Sequence, residues 1–211
     1  MNQTALAPVD TKTRILDAAE RIFSQDGFDA ASLRTITTAA QVNLAAVNYH
    51  FHSKEALFSA VVERRVRPIT LRRIQLLDAI VGKPTPEKIL EAFLRPPIEI
   101  KSGQADIVRP LMARLHGVPG ELASRILEEN FAAVLHRFVD ALSIALPSVT
   151  REELQWRMFF VVGTMSQAMA WGPLISKFTS GKGAPDIEKL TARLVSFGAA
   201  GMKASTKRAT S

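Results

Sequence analysis

Residues 32–58 read SLRTITTAAQVNLAAVNYHFHSKEALF, and this stretch contains two helix-capping signals separated by a short turn. Ser32 is a good N-cap for a helix over about 33–40. Asn43 can cap the next helix, over about 44–50. Because each segment carries apolar residues at helical spacing, the sequence predicts two short helices joined by a tight connection.

The rest of the chain also shows helical periodicity. In residues 12–26, apolar side chains recur at i, i+3, i+4, i+7 and i+8, and Gly27 is well placed to follow the helix. Pro68 is expected to kink or end a helix that begins at about residue 54. Further helices are predicted over about 69–81, 86–101, 105–116, 120–146, 151–171 and 186–203. No segment alternates for long with period two, so we predict an all-α protein of nine or ten helices.

Three helices, with a tight turn between the second and third, describe a helix-turn-helix, in which the third helix lies in the DNA major groove. Leu44, Ala45 and Asn48 can share a face of that helix, and the amide of Asn48 can bond to adenine N6 and N7. Tyr49 and His50 lie where a phenol and an imidazole can grip phosphates. Taken singly, Tyr49 fits half-buried packing and Asn48 a solvated polar residue, but the assembled pattern favours DNA binding.

Residues 13–58, TRILDAAERIFSQDGFDAASLRTITTAAQVNLAAVNYHFHSKEALF, resemble the DNA-binding domain of TetR-family repressors from end to end. The matching segments are Ile15–Ala19, Phe23, Gly27–Phe28, Ser32–Arg34, Ile36, Tyr49–Phe51 and Lys54–Leu57. The resemblance implies that Arg34 and exposed residues of the third helix approach bases, while four others contact the DNA backbone. The base-facing helix residues are Leu44, Ala45, Ala46 and Asn48, and the backbone contacts are Ser32, Tyr49, His50 and Lys54. Gln41 stands where the family has glycine, and a positive φ there would cost about 1 kcal/mol.

A second resemblance extends further along the chain. The run Val42–Phe51, Pro68 and the ending Phe197–Lys203 look similar to the PsrA-type regulators, which respond to long-chain fatty acids. This resemblance implies a fatty acid or acyl-CoA as the effector.

Composition excludes several classes of protein. The 211 residues include no cysteine, so disulfides, thiolate zinc sites and cysteine nucleophiles are absent. The sequence has no nucleotide-binding or zinc-protease motif, and no two of its four histidines are three or four residues apart. We therefore expect no enzymatic activity, no metal and no cofactor. The N-terminus lacks the features of a secretion signal, which predicts a cytoplasmic protein.

Two local features allow alternatives. Met158–Ser176 is 19 residues long without a charge, which would suit a membrane span, but its Gly, Pro, Ser, Thr and Gln residues favour a buried helix or a subunit interface. No membrane partner is therefore expected. Five arginines lie between Arg64 and Arg73 without an acidic residue. These arginines could bind a polyanion, or they could form a solvated face of a helix.

We predict a flexible tail (1–9), a DNA-binding domain (10–68, helix-turn-helix at about 33–52), a ligand-binding and dimerisation domain (69–203) and a disordered basic tail (204–211). The last two long helices are expected to form a homodimer. Candidate ligand-binding residues are Arg109, Met112, Leu115, His116, Phe131, Leu135, Phe138, Phe159, Val162, Met165, Met169 and Trp171, although such stripes are often core. The predicted function is repression of a palindromic operator, relieved by a small apolar or amphipathic effector. The alternative is a helical lipid-binding or scaffolding protein without sequence-specific DNA binding.

Overall fold

A computed structural model describes residues 10–100, 102–115, 118–179 and 186–205. The predicted tails lie outside these ranges, except for residues 204 and 205. His116, a predicted ligand-binding residue, also lies outside them. The described part contains nine α-helices and no strand, which confirms the all-α prediction. The helices are α1 (Thr11–Ala30), α2 (Leu33–Ala40), α3 (Leu44–Phe51), α4 (Lys54–Asp78), α5 (Pro86–Ile98), α6 (Ser102–Arg114), α7 (Gly120–Ala145), α8 (Arg151–Thr179) and α9 (Ile187–Lys203).

The described residues form two compact units. The first comprises Met1–Val66 together with Gly103–Leu127, and the second comprises Arg67–Ser102 together with Glu128–Ser211. Residues 103–127, which the sequence analysis placed in the second domain, thus pack with the N-terminal helices. Arg114 of α6 donates a hydrogen bond to the carbonyl oxygen of Gln25 on α1. The domain boundaries inferred from the sequence stay a prediction.

An aromatic cluster fills the centre of the first unit. The ring of Phe58 lies 4.9 Å from that of Phe23 and 5.3 Å from that of Phe28, centroid to centroid, with edge-to-face geometry in both pairs. Gly27 has φ 83° and kinks α1 between the two earlier rings. The positive φ disfavours a side chain here, and a Cβ would lie 3.1 Å from Nη1 of Arg114, so this guanidinium group would also have to shift.

Pro68 was expected to kink or end its helix, and the ending is wrong, because α4 runs from Lys54 to Asp78. A proline within a helix removes one backbone hydrogen bond, and burial of the flanking turns can outweigh that loss. Val66 and Arg73, on either side of Pro68, are both buried. Helix α8 is also longer than predicted, because it ends at Thr179 rather than near residue 171.

The second unit has its own hydrophobic core, contributed by α5, α7, α8 and α9. Its largest fully buried side chains include Phe93 and Phe138, whose rings meet edge to face at 5.1 Å. Gly198 permits a close approach of α9 to α5, because a Cβ there would lie 3.1 Å from Cδ1 of Leu90. None of the helices in the described ranges is long and apolar enough to cross a bilayer.

Candidate nucleic-acid interface

Both caps predicted for the short helices are present. The Ser32 hydroxyl accepts a hydrogen bond from the Thr35 N–H at 3.0 Å, which caps α2. The side-chain oxygen of Asn43 accepts from the Ala46 N–H at 2.9 Å, which caps α3. Each bond satisfies a backbone donor that the first turn leaves free, so the starts of these helices are fixed by local sequence.

The turn between α2 and α3 is a Schellman motif. Gln41, which stands where the resembling family has glycine, is left-handed, with φ 53° and ψ 48°. Its N–H donates to the Thr38 carbonyl at 3.1 Å, and the Val42 N–H donates to the Thr37 carbonyl at 3.0 Å. These two bonds satisfy carbonyls at the end of α2 and direct the chain into α3.

Helix α3 presents two different faces. Val47 and Phe51 are buried in the first unit, whereas Leu44, Asn48 and Tyr49 are exposed, Tyr49 to 79%. Ala45 is exposed as well, while Ala46 and His50 are half-buried. The structure therefore brings three of the four predicted base-contacting side chains of α3, Leu44, Ala45 and Asn48, to the solvent-facing surface, whereas Ala46 is half-buried.

A strained turn links α3 to α4, and sequence reasoning missed it. His52 has φ 65° and ψ −39°, and the Ser53 N–H donates to the Phe51 carbonyl at 2.7 Å. This i to i+2 bond is a γ-turn with positive φ, a conformation that side chains other than glycine rarely adopt. The hydroxyl of Ser53 then accepts from the Ala56 N–H at 3.1 Å and caps α4.

Lys54 makes contacts that the sequence did not predict. Its Nζ lies 3.3 Å from the carbonyl oxygen of Asp29 and 4.5 Å from the centre of the Phe28 ring. The ammonium group therefore already has protein partners, and its role at a DNA phosphate stays a prediction. Arg34 and Ser32 are exposed, although the Ser32 hydroxyl also lies 2.7 Å from that of Thr35.

The arginine run between residues 64 and 73 does not form one cationic surface. Arg64 pairs with Asp17 at 2.7 Å, and Arg65 pairs with Glu20, which is itself buried. Arg73 lies in the interior of the second unit. Most of the positive charge in this run is therefore balanced or buried.

The predicted ligand-binding residues fall in both compact units. Arg109, Met112 and Leu115 belong to the first unit and the remaining described ones to the second. Phe138 and Met165 are core residues, Leu135, Val162 and Met169 pack against that core, Phe131 is half-buried, and Phe159 and Trp171 are exposed. Their role in ligand binding stays a prediction.

Two concavities of the second unit are lined by residues other than the predicted ligand-binding ones. One has a volume of about 90 Å³ and is lined mainly by apolar side chains, among them Leu94, Phe160 and Phe197. The other has about 600 Å³ and includes Glu91 and Arg95 in its lining. Across the described part of the chain, no three His, Asp or Glu side chains are placed to hold a metal.

Comparison with protein families gives two matches that lie one after the other along the chain. Residues 15–61 match the model of the bacterial regulatory proteins of the tetR family, and this region contains α2 and α3. Residues 91–201 match the tetracyclin repressor-like C-terminal domain. The second match alone covers more than half of the 211 residues.

Among curated proteins, the chain is 43% identical over 60 residues to the HTH-type transcriptional regulator UidR of Escherichia coli K12. That match covers 28% of this chain and only 30% of UidR. A longer match, 28% identical over 149 residues, covers 69% of this chain and 70% of the HTH-type transcriptional repressor BepR of Brucella suis.

Solved structures share the fold at low sequence identity. The fatty acid degradation regulator FadR of Bacillus halodurans has a TM-score of 0.70 at 13% identity, covering 96% of this chain and all of that one. A TetR-like transcriptional regulator from Rhodococcus has a TM-score of 0.68 at 16% identity, and the match covers 95% of this chain and all of that one. Together with the two family matches and the geometry of α2 and α3, these findings establish that the chain belongs to the TetR family of DNA-binding transcriptional regulators, which are not enzymes.

Proposed function

We propose that this regulator is a cytoplasmic homodimer that represses transcription from a palindromic operator and leaves the DNA when it binds a small apolar or amphipathic effector. The observation that carries the proposal is the exposed face of α3, held by two capped ends and a Schellman turn. A rigid short helix with small residues facing outward can enter the major groove.

Each exposed side chain has a role in the proposed complex. The alanines of α3 allow the helix backbone to approach base edges, and Asn48 bonds to adenine. Arg34 on α2 and Leu44 at the start of α3 are exposed and contact bases. The remaining DNA-binding residues, Ser32, Tyr49, His50 and Lys54, bind the phosphate backbone and set the register of the helix.

Dimerisation is supported by apolar side chains that stay exposed on α8 and α9. Trp156, Phe159 and Phe160 form a ring cluster on α8 with centroid distances of 6.1–6.2 Å, and each is more than half exposed. Phe197 on α9 is 69% exposed. An apolar patch of this kind marks a surface that another molecule covers. A two-fold dimer would present two copies of α3 to a palindromic site.

The DNA-binding part of the proposal is tested by selecting a duplex from a random library and measuring its affinity by fluorescence anisotropy. Asn48→Ala is expected to weaken the free energy of binding to the selected duplex by about 1–3 kcal/mol and to relax the sequence preference at one base pair. Gln25→Ala, which removes an exposed amide from α1, is the matched control and should bind as wild type does. If no duplex is enriched, the lipid-binding or scaffolding alternative replaces the repressor.

The effector class, a fatty acid or acyl-CoA, follows the resemblance to PsrA-type regulators. Acyl chains of increasing length, free and as CoA thioesters, would be titrated against the complex with the selected duplex. Burial of each methylene contributes about 0.8 kcal/mol to effector binding. Longer acyl chains should therefore release the DNA at lower concentrations until the site is full. Release that is indifferent to length would contradict an acyl effector and favour an aromatic one.

A further inference from the structure

Arg73 is a buried cation in the second unit, 3% exposed. Its Nε–H donates to the carbonyl oxygen of Phe93 at 2.8 Å, and its Nη2 lies 3.7 Å from the sulfur of Met165. The guanidinium carbon lies 3.8 Å from the centre of the Phe93 ring. All of these partners are neutral, and within the described ranges no carboxylate pairs with Arg73.

A guanidinium group without a counter-charge is costly in an apolar interior. Burial lowers the pKa of Arg73 to about 9, which still leaves the side chain charged at neutral pH. The group has five N–H donors, and the contacts above engage two of them, one only with a thioether. The interior of this unit therefore holds a positive charge that no carboxylate of the described residues balances.

Thr70 provides an unsatisfied polar group on the same helix. Its hydroxyl oxygen is buried and has no hydrogen-bond partner. Since Thr70 precedes Arg73 by three residues in α4, the two side chains lie on one helix face. Buried polar groups are nearly always satisfied and buried charges nearly always paired, so an unsatisfied hydroxyl and an unbalanced cation on one helix face point to a ligand that completes them.

We propose that Arg73 and Thr70 bind the carboxylate of the effector, an inference that rests on the effector-controlled function proposed above. A carboxylate accepts charge-assisted hydrogen bonds from a guanidinium group and can accept another from a hydroxyl. A single cation among apolar neighbours balances a single negative charge. The ligand is therefore a monocarboxylate with an apolar body, and the polyanionic CoA thioesters are excluded from this site.

The test uses thermal unfolding of the full-length chain with sodium decanoate and sodium benzoate as probes. At equal concentration and ionic strength, 1-decanol and sodium chloride serve as the uncharged and inorganic controls. At least one carboxylate should raise the Tm of wild type while both controls leave it unchanged. If neither carboxylate raises it, or if chloride raises it equally, the proposal is overturned.

Arg73→Met keeps the length of the side chain and removes its charge. The affinity for the stabilising carboxylate should fall about ten- to hundredfold, while Arg72→Met, which changes an exposed neighbour, should leave it unchanged. Without ligand, Arg73→Met should unfold at or above the temperature of wild type, since it removes an unbalanced charge. An arginine with only a structural role would give a lower Tm, and an unchanged carboxylate shift in Arg73→Met would equally overturn the proposal.

Thr70→Val serves as a second variant in case Arg73→Met does not fold. It replaces the hydroxyl with a methyl group of similar shape and should weaken the carboxylate several-fold. Operator binding, measured in parallel, separates the two proposals. If wild type binds a selected duplex but shows no carboxylate shift, only the anion site fails. If wild type binds no duplex while Arg73→Met abolishes the shift, the anion site stands and the repressor fails.

Discussion

Arg14 reaches from α1 to the end of α2, where its Nη2 lies 2.7 Å from the carbonyl oxygen of Ala40. The same nitrogen lies 2.7 Å from the carbonyl oxygen of Gln41. The carbonyls at a helix C-terminus lack intrahelical partners and carry partial negative charge, which a guanidinium group balances. One side chain of α1 therefore holds the turn that orients α3.

Replacing Arg14 by methionine should weaken both folding and DNA binding. Hydrogen bonds from a charged donor contribute about 1.5–3 kcal/mol, and partial exposure here reduces the expected loss to about 1–2 kcal/mol. Urea unfolding would measure the loss, and anisotropy would show weaker operator binding. Arg21→Met, an exposed arginine of the same helix, is the control. Equal stability of the two variants would show that the contact with the turn contributes nothing.

Gln41→Gly should stabilise the first unit by about 1 kcal/mol. The left-handed backbone at this position costs a residue with a Cβ about that much, and glycine adopts it without steric penalty. The same replacement at Gln25, which is exposed within α1, should destabilise by about 1 kcal/mol because glycine is a poor helix former. Urea midpoints that move in the same direction for both variants would contradict the assigned turn.

The helix-turn-helix could be predicted because its signals are local. Ser32 and Asn43 bond to backbone N–H groups only three residues away, and the apolar positions of α3 recur at helical spacing. The sequence also marked Gln41 as standing where the resembling family has glycine, and its backbone is left-handed. Such interactions depend on neighbours in sequence, so reading the sequence in order finds them.

The features that escaped prediction depend on distant parts of the chain. Nothing near Pro68 reveals that packing carries α4 past it. Nothing near Arg73 reveals that its neighbours are Phe93 and Met165, which lie 20 and 92 residues away. Phe138 was a candidate ligand contact because it is apolar on a helix, and in the structure it lies in the core. Helical spacing predicts which side chains are buried, but it does not show whether they pack in a core or line a cavity.

An ion-pair network between α5 and α9 should make the second unit sensitive to acid. Arg95 contacts Glu99 at 3.0 Å and Glu188 at 2.7 Å, and its hydrogen bond holds the pKa of Glu188 below the usual 4.5. A hydrogen bond from Lys203 likewise lowers the pKa of Glu87. Because the folded pKa values are lowered, these pairs stabilise the protein above about pH 4.5 and lose their effect as pH falls through the lowered values.

Arg95→Met should accordingly be less stable than wild type at pH 7, with the difference shrinking as the pH falls below about 4.5. Urea unfolding from pH 7 to pH 3 would measure the difference. Arg193→Met, at an exposed position of α9, should follow wild type across the range. A difference between Arg95→Met and wild type that stays constant down to pH 3 would show that Arg95 acts through packing and not through its carboxylate partners.

Phe159→Glu should separate the proposed dimer into monomers. The ring is 65% exposed on α8, so a glutamate costs the isolated chain little, whereas it would bury a charge in the interface. Loss of a central aromatic side chain is expected to weaken association by about 2–4 kcal/mol, which sedimentation equilibrium can measure. Leu71→Glu changes another exposed apolar residue, 55% exposed on α4, and should leave the dimer intact. Because a monomer presents one copy of α3, Phe159→Glu should also bind a single half-site as tightly as the palindrome. Unchanged dimerisation of Phe159→Glu would move the interface away from this face of α8.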